Sequence, residues 1–462
     1  MRAEPPPLAG GAPGSDALAP LLRTVLDALR AGAEDRGGPL PAGGPDTVAR
    51  HVREALGDPF PETGRGPDEA LTTLVRALAA GAADPAHPLC AAHLHTPPLA
   101  LAAAADLAAS ALNPSMDSWD QAPAASAIED RITAALAAEV YPDATHPDAL
   151  VTTGGTESNQ LALLLARERL GPAVRTVVGA NAHHSFRRAA WLLGLPEPVV
   201  VPTPRGTLDP AALREDLTRL TGPVLVAATA GTTDEGLIDP LPALAGLCEE
   251  RHADLHVDAA YGGPVLFSRT HRSLLDGLAR ARTVTVDLHK LGWQPAAAGL
   301  LAVRDAADLA ALGHTAAYLN ADDDTEAGLP DLLGRSLRTT RRPDVLKTAV
   351  TLRALGRDGL GALVDACMDR AQDLADLVEK APELDLRARP TLTTVLFRPN
   401  GPGVTDETVA AVRRTLLAEG RAVLGRAEAD GRLWLKATLL NPHATPGDLA
   451  QLITLVEGSA QR

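Results

Sequence analysis

The chain has 462 residues and is 45% hydrophobic, enough for two or three packed units, and its net charge of −15 leaves no basic excess with which to neutralise a nucleic-acid backbone. Its three cysteines, Cys90, Cys248 and Cys367, are far apart and form no C-x-x-C pair, so neither a disulfide framework nor a zinc site is expected, and a reducing cytoplasm is the expected compartment. Residues Met1 to Ser15 lack the basic start and apolar run of a signal peptide, and the apolar stretch from Leu99 to Leu112 is broken by Asp106 and too short for a bilayer, so no membrane partner is expected.

In chain order, residues 1–15 are Pro/Gly-rich and read as a disordered tail, and residues 16–100 read as a helical segment interrupted by a Pro/Gly linker from Gly37 to Pro45. Residues 101–342 form the predicted large domain. From about Asp148 short apolar runs, Val174–Val178, Pro223–Thr229, Asp254–Val257 and Thr283–Val286, alternate with helix-like segments such as Ser158–Arg169 and Leu241–Arg251. That alternation predicts parallel β/α units. The stretch Ala316 to Arg342, with its acidic run Asp322 to Asp324, Gly328 and Pro330, reads as a mobile polar loop. Residues 343–462 read as a small α/β domain with a long helix, Asp344–Glu379, strands at Leu392–Phe397 and Leu433–Leu439, and a closing helix.

Three motifs fall at the C-terminal ends of predicted strands, where open α/β sheets place ligands. Thr152-Thr153-Gly154-Gly155-Thr156-Glu157-Ser158-Asn159 offers glycines and free N–H groups at a helix start, a phosphate cradle or simply a capped helix. Leu255 to Gly263 ends an apolar run on Asp258, and a buried carboxylate needs a partner such as a protonated pyridine nitrogen, or else caps the next turn. Val284 to Leu291 sets Lys290 beside His289 after a strand, where a lysine can be desolvated into a nucleophile or can snorkel to the surface. Between the first two lie His183 and His184, which taken alone would be structural.

The order of these motifs resembles that of the fold-type I pyridoxal 5′-phosphate (PLP) enzymes and, within them, the group II amino-acid decarboxylases. His93-Leu94-His95-Thr96-Pro97-Pro98, the stretch Asn113 to Pro123, and Thr339-Thr340-Arg341-Arg342 with Lys347 are similar to the L-2,4-diaminobutyrate decarboxylase branch. The resemblance runs from about His93 to Asn441. It implies an α/β, fold-type I PLP-dependent transferase fold, with a mostly parallel central sheet flanked by helices, a helical N-terminal segment and a small C-terminal α/β domain. It also implies a homodimer that converts an L-amino acid to an amine and carbon dioxide.

Carried over by position, Lys290 matches the lysine that holds PLP as a Schiff base, Asp258 the partner of the ring nitrogen, and His183 the imidazole stacked on the ring. Gly155, Thr156 and His289 match phosphate contacts, Thr233 a contact near the phenolic oxygen, and Ala260 a residue packed against the ring. Lys436 falls where the glutamate branch has an arginine for the substrate carboxylate, and His95 and Asn113 are further substrate-contact candidates. The sequence departs from the family after Lys290, where a bulkier residue is expected at Gly292 and a more polar one near Ala297. Relatives in the aromatic and glutamate branches carry a proton-donating tyrosine on the loop over 316–342. Here the loop after Tyr318 has none, which leaves His183 or Tyr318 for that role. Decarboxylation coupled to oxidative deamination is therefore a rival outcome. A PLP aminotransferase or lyase on the same fold is a second, and a catalytically silent homologue a third.

Overall fold

The computed structural model describes residues 5–314, 316, 319 and 321–461. Its strands are β1 (Cys90–Ala91), β2 (Asp148–Thr152), β3 (Arg175–Gly179), β4 (Val199–Val201), β5 (Val224–Thr229), β6 (Asp254–Ala259), β7 (Thr283–Asp287), β8 (Gly299–Val303), β9 (Leu384–Leu386), β10 (Thr394–Pro399), β11 (Val423–Ala429) and β12 (Arg432–Thr438). Seven of them form the large sheet, in the order β2-β8-β7-β6-β5-β3-β4. The pairings from β7 to β4 are parallel, and β8 runs antiparallel to both neighbours. The expected mostly parallel α/β sheet is thus present. Its central strands are covered on both faces, and every residue of β5 and β7 is buried.

The polar exceptions share one face. Side chains alternate along a strand, so His256 and Asp258 on β6 point the same way, as do Thr283, Thr285 and Asp287 on β7. The register sets Thr283 beside His256, Thr285 beside Asp258, and Thr229 of β5 on the other flank of Asp258. Helix Gly155–Leu170 packs over this region and buries almost every residue from Ser158 to Ala166, so it shows no amphipathic stripe.

The first helix begins at Gly14, and residues 37–43 turn the chain into the helix Gly44–Leu56. Helix Pro67–Gly81 follows, and then β1 pairs with β11, so the N-terminal stretch supplies an edge strand to the small sheet, whose order is β1-β11-β12-β10-β9. The helical stretch Val345–Lys380 joins the two halves and breaks at Gly356, whose φ of 62° lies in the left-handed region. Before the break, fully buried Lys347 pairs with Asp106 at 3.1 Å and Asp344 at 3.3 Å. After it, Ala371, Leu374 and Val378 enter the small-domain core.

The expected loop over 316–342 contains a short helix, Asp322–Glu326, and its far end is tied down. Arg335 donates to Asp148 at 2.5 and 3.1 Å, and buried Arg341 donates to buried Glu129 at 2.7 Å. Tyr318 lies outside the described residues. Among the described residues no helix is long and apolar enough to cross a membrane.

Candidate active site

A cavity of about 300 Å³ opens where β5, β6 and β7 end, and Gly155, Thr156, His183, Thr233, Asp258, Ala260, His289 and Lys290 all line it. A larger hollow of about 550 Å³ lies at the opposite ends of the same strands, beside Cys248, Arg282 and Arg304. Ligands of open α/β sheets sit at the carboxyl ends, and the nucleophile candidate is there too.

Lys290 follows β7 in a tight turn, its N–H donating to the Asp287 carbonyl at 3.3 Å. Its Nζ lies 3.1 Å from Asp287 Oδ2, and His289 Nε2 lies 3.6 Å from the same oxygen. The Ala298 N–H donates to His289 Nδ1, so the ring proton sits on Nε2. Burial is the main reason this imidazole is held below its usual range, with Asp287 pulling the other way. The turn is braced by Trp293, which is buried at a φ of 51° and donates from Nε1 to the Leu440 carbonyl at 2.8 Å. The bulkier residue expected at Gly292 has no room: a Cβ there would lie 2.5 Å from the Leu288 carbonyl oxygen.

Asp258, nearly buried, accepts from the Ala260 N–H at 3.1 Å and from Asn159 Nδ2 at 2.8 Å. His183 accepts from the Ser185 N–H at Nδ1, which leaves its proton on Nε2. Burial lowers the His183 pKa and the Asp258 charge opposes that shift, so at neutral pH the ring is an uncharged donor.

The walls suit a polar, phosphorylated heterocycle. Among the described residues no side chain caps helix Gly155–Leu170, which leaves its N-terminal turn facing the cavity as an anion cradle. A Cβ at Gly155 would sit 3.0 Å from Ala260 Cβ and 3.2 Å from Asp287 Oδ2, so glycine keeps this floor open. Thr229 Oγ1 and Asp287 Oδ1 line the cavity, are buried, and have no hydrogen-bond partner among the described residues. An apolar ligand would leave both stranded.

The substrate-contact candidates scatter. Lys436 reaches the rim: its Nζ donates to the Thr233 carbonyl at 3.0 Å and lies 3.3 Å from Asp234 Oδ1. His93, given no site role by its motif, feels the Lys436 charge, and burial is the largest cause of its lowered pKa. His95 is its sequence neighbour but one; of this stretch it is Leu94 that lines the cavity. Asn113 is exposed and ends the helix Ala100–Leu112 at a φ of 45°, its N–H donating to the Ala109 carbonyl. Asp117 and Asp120, carboxylates available to a distal substrate ammonium, bond locally, to Gln121 and Ser118.

Asn159, Asp287, Thr229 and Tyr261 also belong to the site and were not assigned roles from the sequence. The signal for Asn159 was its spacing of four from Gly155 on one helix, and for Asp287 its place two residues beyond Thr285 on the polar face of β7.

Known proteins resemble this chain over most of its length. The pyridoxal-dependent decarboxylase conserved domain matches residues 51–400. An L-2,4-diaminobutyrate decarboxylase of Rhizobium meliloti (strain 1021) is 42% identical over 420 residues, which is 87% of this chain and 84% of that protein. Another of the same description, from Acinetobacter baumannii, is 31% identical over 448 residues, 89% of this chain and 88% of the relative. Among solved structures, the glutamate decarboxylase domain of diaminobutyrate-pyruvate transaminase and L-2,4-diaminobutyrate decarboxylase from Vibrio parahaemolyticus superposes with a TM-score of 0.87 at 30% identity, covering 98% of this chain and 97% of that one. With fold, cavity and likeness agreeing over nearly the whole chain, it belongs to the PLP-dependent group II decarboxylase family, in the diaminobutyrate branch, and is a PLP-dependent amino-acid carboxy-lyase.

Proposed function

We propose that the chain decarboxylates L-2,4-diaminobutyrate, with Lys290 holding the cofactor, Asp258 facing its ring nitrogen and His183 lying against its ring. The observation that carries this reading is the convergence of those three residues, from two strand ends and a helix start, on one polar cavity. When bound, PLP supplies the electron sink for the pair left behind as the carboxylate departs as carbon dioxide. An ionised carboxylate at Asp258 favours a protonated ring nitrogen. Asp287 gives Lys290 a counter-ion at 3.1 Å. His183, neutral and with its proton on Nε2, is the described group we assign to deliver a proton to the substrate carbon. Lys436 offers a point charge for the substrate carboxylate, held at the rim by the Thr233 carbonyl. The diaminobutyrate assignment rests on what the two relatives act on.

A homodimer is part of the proposal. Leu26, Leu29, Leu74 and Leu78 on the N-terminal helices are exposed, and a second copy would cover them. Unpaired Cys90, Cys248 and Cys367 suit a reducing compartment such as the cytoplasm.

The test is a panel of amino acids scored for carbon dioxide, amine, aldehyde and oxygen uptake. Amine matching carbon dioxide, greatest with L-2,4-diaminobutyrate and without oxygen uptake, is the expected result. Stoichiometric aldehyde, or amino exchange dependent on a keto acid, would overturn it.

A further inference from the structure

Behind Asp258 the polar face of the sheet carries a closed set of buried hydrogen bonds that the proposed chemistry does not itself use. We propose that Asn159 is a positioning residue that fixes the orientation of Asp258, and that Thr285, His256 and Thr283 in turn fix Asn159. This rests on the role proposed above for Asp258.

Asn159 is fully buried. Its Nδ2 donates to Asp258 Oδ2 at 2.8 Å and to Ser185 Oγ at 2.9 Å. Its Oδ1 accepts from Thr285 Oγ1 at 2.9 Å and lies 3.1 Å from His256 Nε2. A side-chain amide has two donor hydrogens and two acceptor lone pairs, and all four are engaged. The orientation follows from charge. Turned over, the amide would set its oxygen against the Asp258 carboxylate and its NH₂ against the Thr285 hydroxyl and His256.

With Oδ1 an acceptor, His256 carries its proton on Nε2, and its Nδ1 then accepts from Thr283 Oγ1 at 2.8 Å. Burial holds the His256 pKa down at about 4, against the pull of Asp258, so the imidazole stays neutral and this tautomer persists at working pH. Neutrality matters here. A charged imidazolium behind Asn159 would compete with a protonated ring nitrogen for the Asp258 field.

Asp258 thus receives two donors, Asn159 and the Ala260 N–H, one on each oxygen, and neither donor is a cation. Two neutral donors thus fix both carboxylate oxygens and add no competing positive charge behind the cavity. Through Ser185 the same amide also reaches the turn whose N–H orients His183. One side chain therefore ties together the two residues proposed to face the ring edge and the ring plane.

The experiment compares holoenzymes of the wild type, Asn159→Ala, Asn159→Asp, Thr285→Val and Asp258→Asn. It records the visible absorption band of bound PLP, the rate of PLP loss on dilution, and thermal melting of each apo-protein. Asp258→Asn is expected to change the band. Asn159→Ala and Asn159→Asp should change it in the same direction and speed PLP loss by roughly tenfold or more, the effect of removing a hydrogen bond to a charged group. Thr285→Val should do so to a smaller extent. Wild-type band and loss rate in both Asn159 variants, with Asp258→Asn altered, would overturn the proposal, as would a change confined to melting. If the Asn159 variants do not fold, near-isosteric Thr285→Val decides, and a wild-type spectrum there overturns it. An unaltered Asp258→Asn spectrum would instead remove the role of Asp258 on which the proposal rests.

Discussion

That Lys290, Asp258 and His183 come together on one cavity was legible because each sits at the end of an apolar run or the start of a helix, and their order along the chain is a pattern in itself. Asn159 and His256 were not, because their importance lies in bonds to each other across 97 residues. The residue scale also yields a pH dependence. The folded protein holds His256 neutral down to about pH 4, while an unfolded chain protonates it below about pH 6.5, so the unfolded state binds the extra proton and stability falls as pH drops through that window. A difference of that size corresponds to about 3 kcal/mol. Urea titrations near neutrality and at acid pH should show this loss, and His256→Gln should reduce it. An equal loss in the variant would contradict the assignment. Asp258→Asn is expected to keep PLP bound but lose most turnover, because an amide cannot hold the ring nitrogen protonated; near-normal turnover would remove Asp258 from that role.

Among the elements, the buried parallel strands announced themselves as short apolar runs. β8 reads the same way yet runs antiparallel, because periodicity reports burial and not direction. β1, two residues long, is set by tertiary pairing alone. The close packing of β8 on the glycine turn has its own consequence. A Cβ at Gly299 would lie 2.5 Å from the Gly154 backbone, so Gly299→Ala forces either the strand or the glycine turn to move. It should cost about 1–3 kcal/mol of stability, as overpacked cores do, and weaken PLP binding. Denaturation with PLP titration checks both, and wild-type affinity would show that the turn absorbs the methyl group without consequence.

For the whole molecule, the helices of the N-terminal segment were expected from composition, whereas the contribution of residues 90–91 to the small sheet was not. Long-range pairing of this kind leaves no local trace. The exposed leucines of that segment predict a dimer at micromolar concentration by sedimentation, and an active monomer there would contradict it.

Borohydride reduction of the holoenzyme followed by peptide mapping tests the account at its centre. The expected result is a PLP adduct on the peptide containing Lys290, lost in a Lys290→Ala protein that still folds. An adduct on Lys347, which the structure buries against Asp106 and Asp344, or on Lys436 would contradict it.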